Sequence, residues 1–210
     1  AILANSLDAE KLTIWKDVDG IMNCDPKAFE DAVKIDKISY RDAAELSFMG
    51  AKVIHPFTIK PLQEKNIPLE VRSCMDENNG GTMVGNFPPN TMQPLFAVMN
   101  DLLLLKIQKP DHTFIGKFLP ELINYFRLEK VPIRFIHQNA LELIIVVEQE
   151  NEKNGRLKGI LNNGFKIEST KIDMIGIKYP DDASVEMLKA GREVIMENKS
   201  KHRQQIIVKA

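Results

Sequence analysis

Two short stretches of this chain carry charged side chains where they could meet a ligand. Residues 16–20 read Lys-Asp-Val-Asp-Gly, and residues 50–56 read Gly-Ala-Lys-Val-Ile-His-Pro. A lysine on a tight connector is well placed to meet a phosphate or the edge of a nucleotide. Asp17 and Asp19 could instead be paired carboxylates for acid–base chemistry or metal binding, and Asp19 could simply cap the turn at Gly20.

The second stretch lies between two predicted helices. Ser39, followed three residues later by an acid, fits a capping box and predicts a helix that begins near Tyr40. Gly50 fits the position just past the end of that helix, where a left-handed backbone costs least. Pro56 suits the first turn of the next helix, because its missing N–H needs no partner there. Lys52 therefore lies on a short connector between the helices.

Three features near these stretches are interpreted as structural. His55 precedes a proline at a helix start and has no acidic partner nearby in sequence, which favours local hydrogen bonding over catalysis. Glu45 is assigned to a solvated helix face, although a pairing with a lysine is possible. Residues 80–82, Gly-Gly-Thr, lack the Gly-Lys-Ser/Thr ending of a phosphate-binding Walker loop and are interpreted as a turn.

The first stretch follows a short apolar segment, residues 12–15, which predicts a buried strand of a parallel sheet. Ligands of open α/β sheets bind outside the carboxyl ends of such strands. A second strand is predicted at residues 66–73, and a turn followed by a short strand at residues 78–84. Two consecutive prolines within residues 86–90 indicate a linker, which places a domain boundary near residues 85–92.

The pattern beyond that boundary alternates strands with amphipathic helices. One helix is indicated by apolar residues at three-and-four spacing, namely Ile115, Phe118, Leu119, Leu122, Ile123 and Phe126. The predicted order is a strand at 102–108, that helix, strands at 131–137 and 141–149, a helix at 152–162, one or two strands within 166–179, a helix at 184–197 and a strand at 204–209. Strand–helix–strand–strand–helix–strand is the order of ferredoxin-like units.

The composition argues against several classes of protein. The formal net charge of −1 does not favour a nucleic-acid partner or a membrane-surface role. No apolar run approaches the roughly 20 residues of a membrane-spanning helix, and no signal peptide opens the sequence. Two cysteines, Cys24 and Cys74, do not make a disulfide framework and fit a reducing cytoplasm. A cytoplasmic globular protein is therefore predicted.

The stretch from residue 40 to residue 56, read with Trp-Lys-Asp-Val-Asp-Gly-Ile at 15–21 and Asp-Pro at 25–26, closely resembles aspartate kinases of the amino-acid-kinase superfamily. The resemblance implies the carboxyl-terminal part of an α/β/α kinase sandwich over residues 1–87, followed by α+β ferredoxin-like ACT domains over residues 92–210. It also implies ATP-dependent phosphorylation, with Mg²⁺, of the side-chain carboxylate of L-aspartate to 4-phospho-L-aspartate. A homodimer through the ACT domains and an amino-acid effector are further implications.

The resemblance also implies which residues contact the nucleotide. They are Lys16, Asp17, Met22, Lys27, Lys52 and Val53. Lys16 and Lys27 stand where the family usually has threonine and arginine, and lysine keeps the charge but lacks the bidentate fork. Either could equally be a solvated surface lysine. Met22 replaces a frequent aromatic residue, so stacking on the base is weaker or absent.

The effector contacts that the resemblance implies fall on Phe118, Leu119, Ile133, Gln138 and Asn139. Gln138 and Asn139 can hydrogen-bond an amino acid, or they are polar residues that end a strand. A neighbouring position departs from the family pattern. Lysine-sensitive relatives carry an acidic residue where this chain has an arginine, residue 134, which would repel a lysine ammonium.

Two family motifs, Lys-Phe-Gly-Gly-Thr-Ser and Ser-Asp-Tyr-Thr, are absent from the sequence, and the helix predicted at residues 1–7 has no cap before it. We therefore expect a carboxyl-terminal fragment that lacks the principal catalytic lysine and cannot catalyse the reaction alone. An alternative is an amino-acid-sensing, dimerising regulatory module without catalysis. A kinase for acetylglutamate or uridylate would explain Asp-Val-Asp-Gly-Ile, but not residues 50–56 or the second half.

Overall fold

The computed structural model describes residues 1–76, 80–89, 93–149, 151–162 and 164–210. The chain packs as two compact units. The first unit comprises Ala1–Met99, Ile175–Gly191 and Met196–Ile206, and the second comprises Asn100–Met174, Arg192–Ile195 and Ile207–Ala210. The boundary near residues 85–92 and the domain limits 1–87 and 92–210 stay predictions. Residues 78 and 79 of the predicted turn, residue 90 of the predicted linker, and residues 91 and 92 of the predicted boundary region lie outside the described part.

The elements follow one another in the order α1 (Ile2–Ser6), β1 (Leu12–Lys16), β2 (Lys37–Ser39), α2 (Tyr40–Phe48), α3 (Pro56–Glu64), β3 (Leu69–Ser73), β4 (Thr82–Gly85), β5 (Leu95–Gln108), a 3₁₀ turn (Ile115–Phe118), α4 (Leu119–Leu128), β6 (Ile133–Gln138), β7 (Glu142–Glu148), α5 (Asn151–Leu161), β8 (Lys166–Lys178), α6 (Asp182–Lys189), β9 (Val194–Ser200) and β10 (Arg203–Lys209). No helix in the described residues is long and apolar enough to cross a membrane.

A four-stranded sheet in the first unit has the order β1-β3-β4-β2. β1 runs parallel to β3, with Ile14 opposite Val71, and β3 runs antiparallel to β4. The predicted parallel pairing of β1 is therefore confirmed, but the prediction of a buried strand is only partly right. β1 lies at the edge of this sheet, and Trp15 is 48% exposed.

Helices α2 and α3 pack against each other and contribute to the core of the first unit. Leu46 of α2 and Leu62 of α3 are buried in that core together with Leu69 and Val71 of β3. The sequence does not predict the three-residue strand β2, because Ile38 is its single apolar residue and no alternation can develop over so short a length.

The second unit contains strands in the order β6-β7-β5-β8. With α4 and α5 the chain order is strand–helix–strand–strand–helix–strand, as predicted from sequence. β5 pairs antiparallel with β7, with Leu105 opposite Ile145, and both residues are fully buried. Leu122 and Phe126 of α4 pack into the same core. The three-and-four spacing of α4 thus identified its buried face.

The predicted helix at residues 184–197 is wrong in its second half. α6 ends at Lys189, Ala190 is extended, and Gly191 has φ +71°. The chain then forms β9, which pairs with β10. Residues 192–197 contain helix-forming charged residues and no periodic signal strong enough to exclude a helix, so tertiary pairing decided the outcome. β8 is one continuous strand, and β5 begins at Leu95, earlier than predicted.

Candidate functional site

The connector between α2 and α3 forms as its local chemistry predicts. The Ser39 hydroxyl accepts a hydrogen bond from the N–H of Asp42 at 2.9 Å and caps α2. Gly50, just past the end of that helix, has φ +116°, a conformation that residues with a Cβ rarely adopt. Pro56 is the first residue of α3. Lys52 is exposed and lies in the connector between the end of α2 and the start of α3.

His55 plays a structural part in the same connector. Its Nδ1 accepts a hydrogen bond from the N–H of Phe57 at 3.2 Å, which makes it the N-cap of α3. Its ring also packs edge-on against Phe57, with centroids 5.1 Å apart. The local hydrogen bond predicted for this histidine is confirmed.

The loop that follows β1 is held by Thr82. The N–H of Ile21 donates to Thr82 Oγ1 at 2.8 Å, and the same hydroxyl donates to the carbonyl of Ile35 at 2.6 Å. A Cβ on Gly20 would lie 2.5 Å from that hydroxyl oxygen, so only glycine fits there. A Cβ on Gly81 would overlap the carbonyl oxygen of Val71. Thr82 therefore holds this loop by hydrogen bonds, and Gly81 packs closely on β3. These contacts support the structural interpretation of residues 80–82 over a phosphate-binding loop.

The loop after β1 and the connector reach the same stretch of β5. Phe96 donates its backbone N–H to the carbonyl of Asn23 at 2.9 Å. A Cβ on Gly50 would lie 3.4 Å from the Cβ of Met99. Phe96 and Met99 are three residues apart on one strand, which is about 10 Å. Asn23 of the loop after β1 and Gly50 of the connector therefore lie against the same stretch of β5.

Six residues were predicted to contact a nucleotide, and the structure distributes them over these two segments. Asp17 and Lys27 are exposed, as is Lys52, while Lys16, Met22 and Val53 are half-buried. The backbone N–H of Lys27 donates to Asp25 at 2.9 Å. Met22 forms an isolated antiparallel β-bridge with Lys34 through the backbone. Val53 packs against the core of the first unit.

Four of the five predicted effector residues lie where α4 begins and β6 ends. Ile115 donates its N–H to the carbonyl of Ala140 at 3.0 Å, and a Cβ on Gly116 would lie 2.9 Å from Nε2 of Gln138. Phe118 packs edge-on against Phe165, with centroids 5.6 Å apart. Leu119 opens α4 and packs into the second core.

Two of the predicted effector residues, Asn139 and Ile133, have structural contacts of their own. Asn139 holds the β6–β7 turn, since its Oδ1 accepts from the N–H groups of Leu141 and Glu142. Ile133 opens β6, at the end of the strand opposite Gln138, and packs into the core. Arg134, the next residue, pairs its guanidinium with Glu148, so the charge of this arginine is largely offset.

A buried ion network in the first unit was not predicted. The Lys178 ammonium lies 2.5 Å from Asp42 and 2.7 Å from Glu45, and both Lys178 and Asp42 are nearly inaccessible to solvent. Arg203 also contacts Glu45, at 3.0 Å, and the Tyr179 hydroxyl donates to Asp42 at 3.1 Å. The assignment of Glu45 to a solvated face is therefore wrong, and the alternative, a pairing with a lysine, is confirmed. Three cations surround this carboxylate, the third being Arg41, one turn earlier on α2.

The network shifts the proton affinities of its members. Burial, followed by the negative charge of Asp42 and the hydrogen bond to it, raises the pKa of Tyr179 to about 12. Burial acts to raise the pKa of Glu45, but the hydrogen bonds from Lys178 and Arg41 and the nearby positive charges outweigh it, so that pKa lies below its ordinary value. No sequence signal could have found this network, since its acids and Lys178 are separated by more than 130 residues.

Comparison with known proteins places these features in a family. Residues 1–73 match the model of the Amino acid kinase family. The lysine-sensitive aspartokinase 3 of Escherichia coli is 32% identical over 151 residues, covering 70% of this chain and 33% of that protein. The bifunctional aspartokinase/homoserine dehydrogenase of Haemophilus influenzae is 44% identical over 94 residues, covering 44% of this chain and 12% of that protein. The chain thus spans a third or less of these relatives' length.

The fold has a match among solved structures as well. The E. coli aspartokinase III crystal structure in complex with aspartate and ADP gives a TM-score of 0.84 at 24% identity, over 99% of this chain and 50% of that one. The predicted fold class, a kinase α/β part followed by ferredoxin-like α+β ACT-type domains, is confirmed. The match over residues 1–73 places this part of the chain in the class of amino acid kinases. Within that class, the chain belongs to the aspartokinase family.

Proposed function

We propose that this chain supplies the nucleotide-binding side and the regulatory half of an ATP-dependent kinase for the side-chain carboxylate of L-aspartate. The product would be 4-phospho-L-aspartate. The observation that carries the proposal is the approach of two segments, the loop after β1 and the connector of Lys52, to the same stretch of β5. The relationship to aspartokinases supports the choice of aspartate as the acceptor.

Lys52 is proposed to meet the phosphates of ATP as an exposed ammonium on a capped, rigid connector. Asp17, together with Lys16, Met22, Lys27 and Val53, would contact the base, ribose or phosphates. Mg²⁺ would enter with the nucleotide, whose phosphates supply part of its ligand set. Mg²⁺ is commonly held by one or two carboxylates and the substrate phosphates.

Phosphoryl transfer to a carboxylate would need no acid–base catalysis from the protein. The aspartate side chain is already ionised at neutral pH, so the attack on the γ-phosphate needs no general base. Positioning and charge neutralisation would do most of the work. The glycine-rich lysine motif that the family resemblance implies for the transferring phosphate is absent from these 210 residues. We therefore propose that they bind ATP in the cytoplasm of the cell but do not turn it over alone.

Calorimetric titration of the 210-residue chain with ATP and Mg²⁺ tests this proposal. We expect measurable binding that weakens by roughly tenfold or more in Lys52→Ala, because a charge-assisted phosphate contact is lost. Lys60→Ala, which removes another exposed lysine from α3, is the matched control and should bind as the parent does. Equal weakening in both variants, or no binding by the parent chain, would refute the proposed nucleotide site. Aspartate-dependent ADP release by the chain would refute its inactivity.

A second role, amino-acid sensing with dimerisation through the ACT-type unit, is favoured by one observation. The start of α4 and the end of β6, which carry Phe118, Leu119, Gln138 and Asn139, are held together by the hydrogen bond from Ile115 to Ala140. The lysine sensitivity named for one relative makes L-lysine the first effector to test. Binding of L-lysine without ATP, lost in Gln138→Ala, would favour this role over the nucleotide site.

A further inference from the structure

A cleft in the first unit lies beside the ion network and has no role in the function proposed above. Its volume is about 600 Å³, which is within the range of small-molecule sites. The start of α2, the residues after β4, the end of β8 and the β9–β10 turn line it. None of its described lining residues is among the predicted nucleotide or effector contacts. Lys52 lies past the opposite end of α2, a helix of about 13 Å.

The cleft has more positive than negative charge. Four cationic side chains line it, those of Arg41, Lys178, Lys201 and Arg203. The carboxylates that contact these groups, within the described part of the chain, are Asp42 and Glu45. Two positive charges therefore remain without a counter-charge.

The ion network presents its guanidinium groups side by side. Arg41 Nε and Arg203 Nη2 contact the same oxygen of Glu45, at 3.1 and 3.0 Å. Each guanidinium has further N–H donors, and both side chains are more than half exposed. The network is thus buried at Lys178, whereas its two arginines are accessible to a ligand from solvent.

We infer that this cleft binds a small phosphate-bearing dianion, held by Arg41, Arg203 and Lys201. A dianion would balance the two uncompensated charges. The guanidinium fork matches phosphate oxygens, and Lys201 adds a compact third cation. The rings of Phe87 and Tyr179 also line the cleft and give an organic part of the ligand apolar surface to pack on. A phosphate monoester is therefore the chemical class that fits.

A calorimetric titration of the 210-residue chain with inorganic phosphate at low ionic strength tests the inference. We expect saturable one-site binding that weakens by roughly tenfold or more in the double variant Arg41→Ala/Lys201→Ala. Both side chains are exposed, so circular dichroism should show an intact fold. Lys60→Ala/Lys199→Ala removes two exposed positive charges outside the cleft and should leave the phosphate affinity unchanged. Succinate, a dicarboxylate dianion, should bind at least several-fold more weakly.

Three outcomes would overturn the assignment. They are the absence of saturable binding, equal weakening in the two double variants, and equal affinity for succinate and phosphate. A loss of phosphate binding in Lys52→Ala would place the anion at the connector and would overturn it too. Lys52 does not line the cleft. Phosphate binding that persists in Lys52→Ala therefore supports the cleft, whether or not that variant binds ATP.

Discussion

Two ion pairs, one in each unit, have nearly the same geometry and very different surroundings. In the first unit, Lys178 lies 2.5 Å from Asp42, and the two side chains are 5% and 2% exposed. In the second unit, Lys106 lies 2.7 Å from Glu142, and the side chains are 35% and 23% exposed. The distances alone would rank the pairs as similar. Burial separates them, because a charge left alone in the interior has no water to solvate it.

The two pairs also connect different kinds of structure. Lys106 and Glu142 lie on β5 and β7, strands already joined by backbone pairing along their length. Lys178 lies at the end of β8, and its acids lie on α2. β8 approaches this helix closely, since a Cβ on Gly176 would lie 2.7 Å from Met49. The buried pair therefore fixes one element against another, whereas the exposed pair adds little to a finished sheet.

The largest expected effect is that of Lys178→Met. Removing the ammonium leaves two carboxylates of the network without their shared partner, and we expect the free energy of unfolding to fall by about 3–5 kcal/mol. Lys106→Met, the matched change in the second unit, should cost less than about 1 kcal/mol. Urea unfolding followed by Trp15 fluorescence reports on the first unit, as Trp15 is the sole tryptophan, and circular dichroism reports on both.

Similar losses in the two lysine variants would contradict the comparison. A loss in Lys178→Met that stayed below about 1 kcal/mol would mean that water reaches the network and that its burial is not permanent. A double variant, Lys178→Met with Asp42→Asn, should recover part of the loss, since it removes one of the two stranded charges.

The second prediction concerns Thr82, whose hydroxyl is buried and uncharged. Thr82→Val removes the acceptor for Ile21 and the donor to Ile35, and we expect a loss of about 1–3 kcal/mol. Thr82→Ser keeps the hydroxyl and should lose much less. The loop after β1 should also exchange its amide hydrogens faster in Thr82→Val, which hydrogen exchange would measure. Unchanged exchange would show that the loop does not depend on this residue.

These contrasts also explain what the sequence could predict. The connector around Lys52 was predictable because each of its determinants, Ser39, Gly50 and Pro56, acts on backbone within a few residues of itself. The ferredoxin-like order of the second unit was predictable for a similar reason, since α4 and the strands beside it carry clear apolar periodicity.

The ion network and β9 were not predictable in this way. Asp42 and Glu45 look like ordinary acids of a helix start and a helix face, and their partner lies more than 130 residues later. β9 has exposed, charged positions that favour no single element, and β10 supplies the pairing that makes it a strand. Of the candidate site, the motifs indicated the segments, and only the fold could show that they reach the same part of β5.

A smaller effect is expected when Glu45 titrates. Its pKa in the folded chain lies below the ordinary value of 4.5, so its contribution to stability is complete above that pH and is lost as the pH falls through the lower folded-state pKa. Urea unfolding measured between neutral pH and about pH 3 should therefore show a steeper acid loss in the parent than in Glu45→Gln. Glu152, an exposed acid of the second unit, offers the control Glu152→Gln. Parallel pH profiles for the parent and Glu45→Gln would contradict the role of Glu45.

The smallest effect is expected from Tyr179→Phe, because a neutral hydroxyl at the edge of the network contributes only about 0.5–1.5 kcal/mol. Burial and the Asp42 carboxylate raise the pKa of Tyr179 to about 12, so its neutral form stabilises the fold fully below its ordinary value of 10.0 and loses that contribution as the pH rises through about 12. Ultraviolet titration of the parent should show a phenol ionising near that pH, absent from Tyr179→Phe and still present in Tyr125→Phe. Burial also raises the pKa of Tyr40, so the comparison is the loss of absorbance change in the variant. A late phase of the same amplitude in the parent and in Tyr179→Phe would contradict the raised pKa of Tyr179.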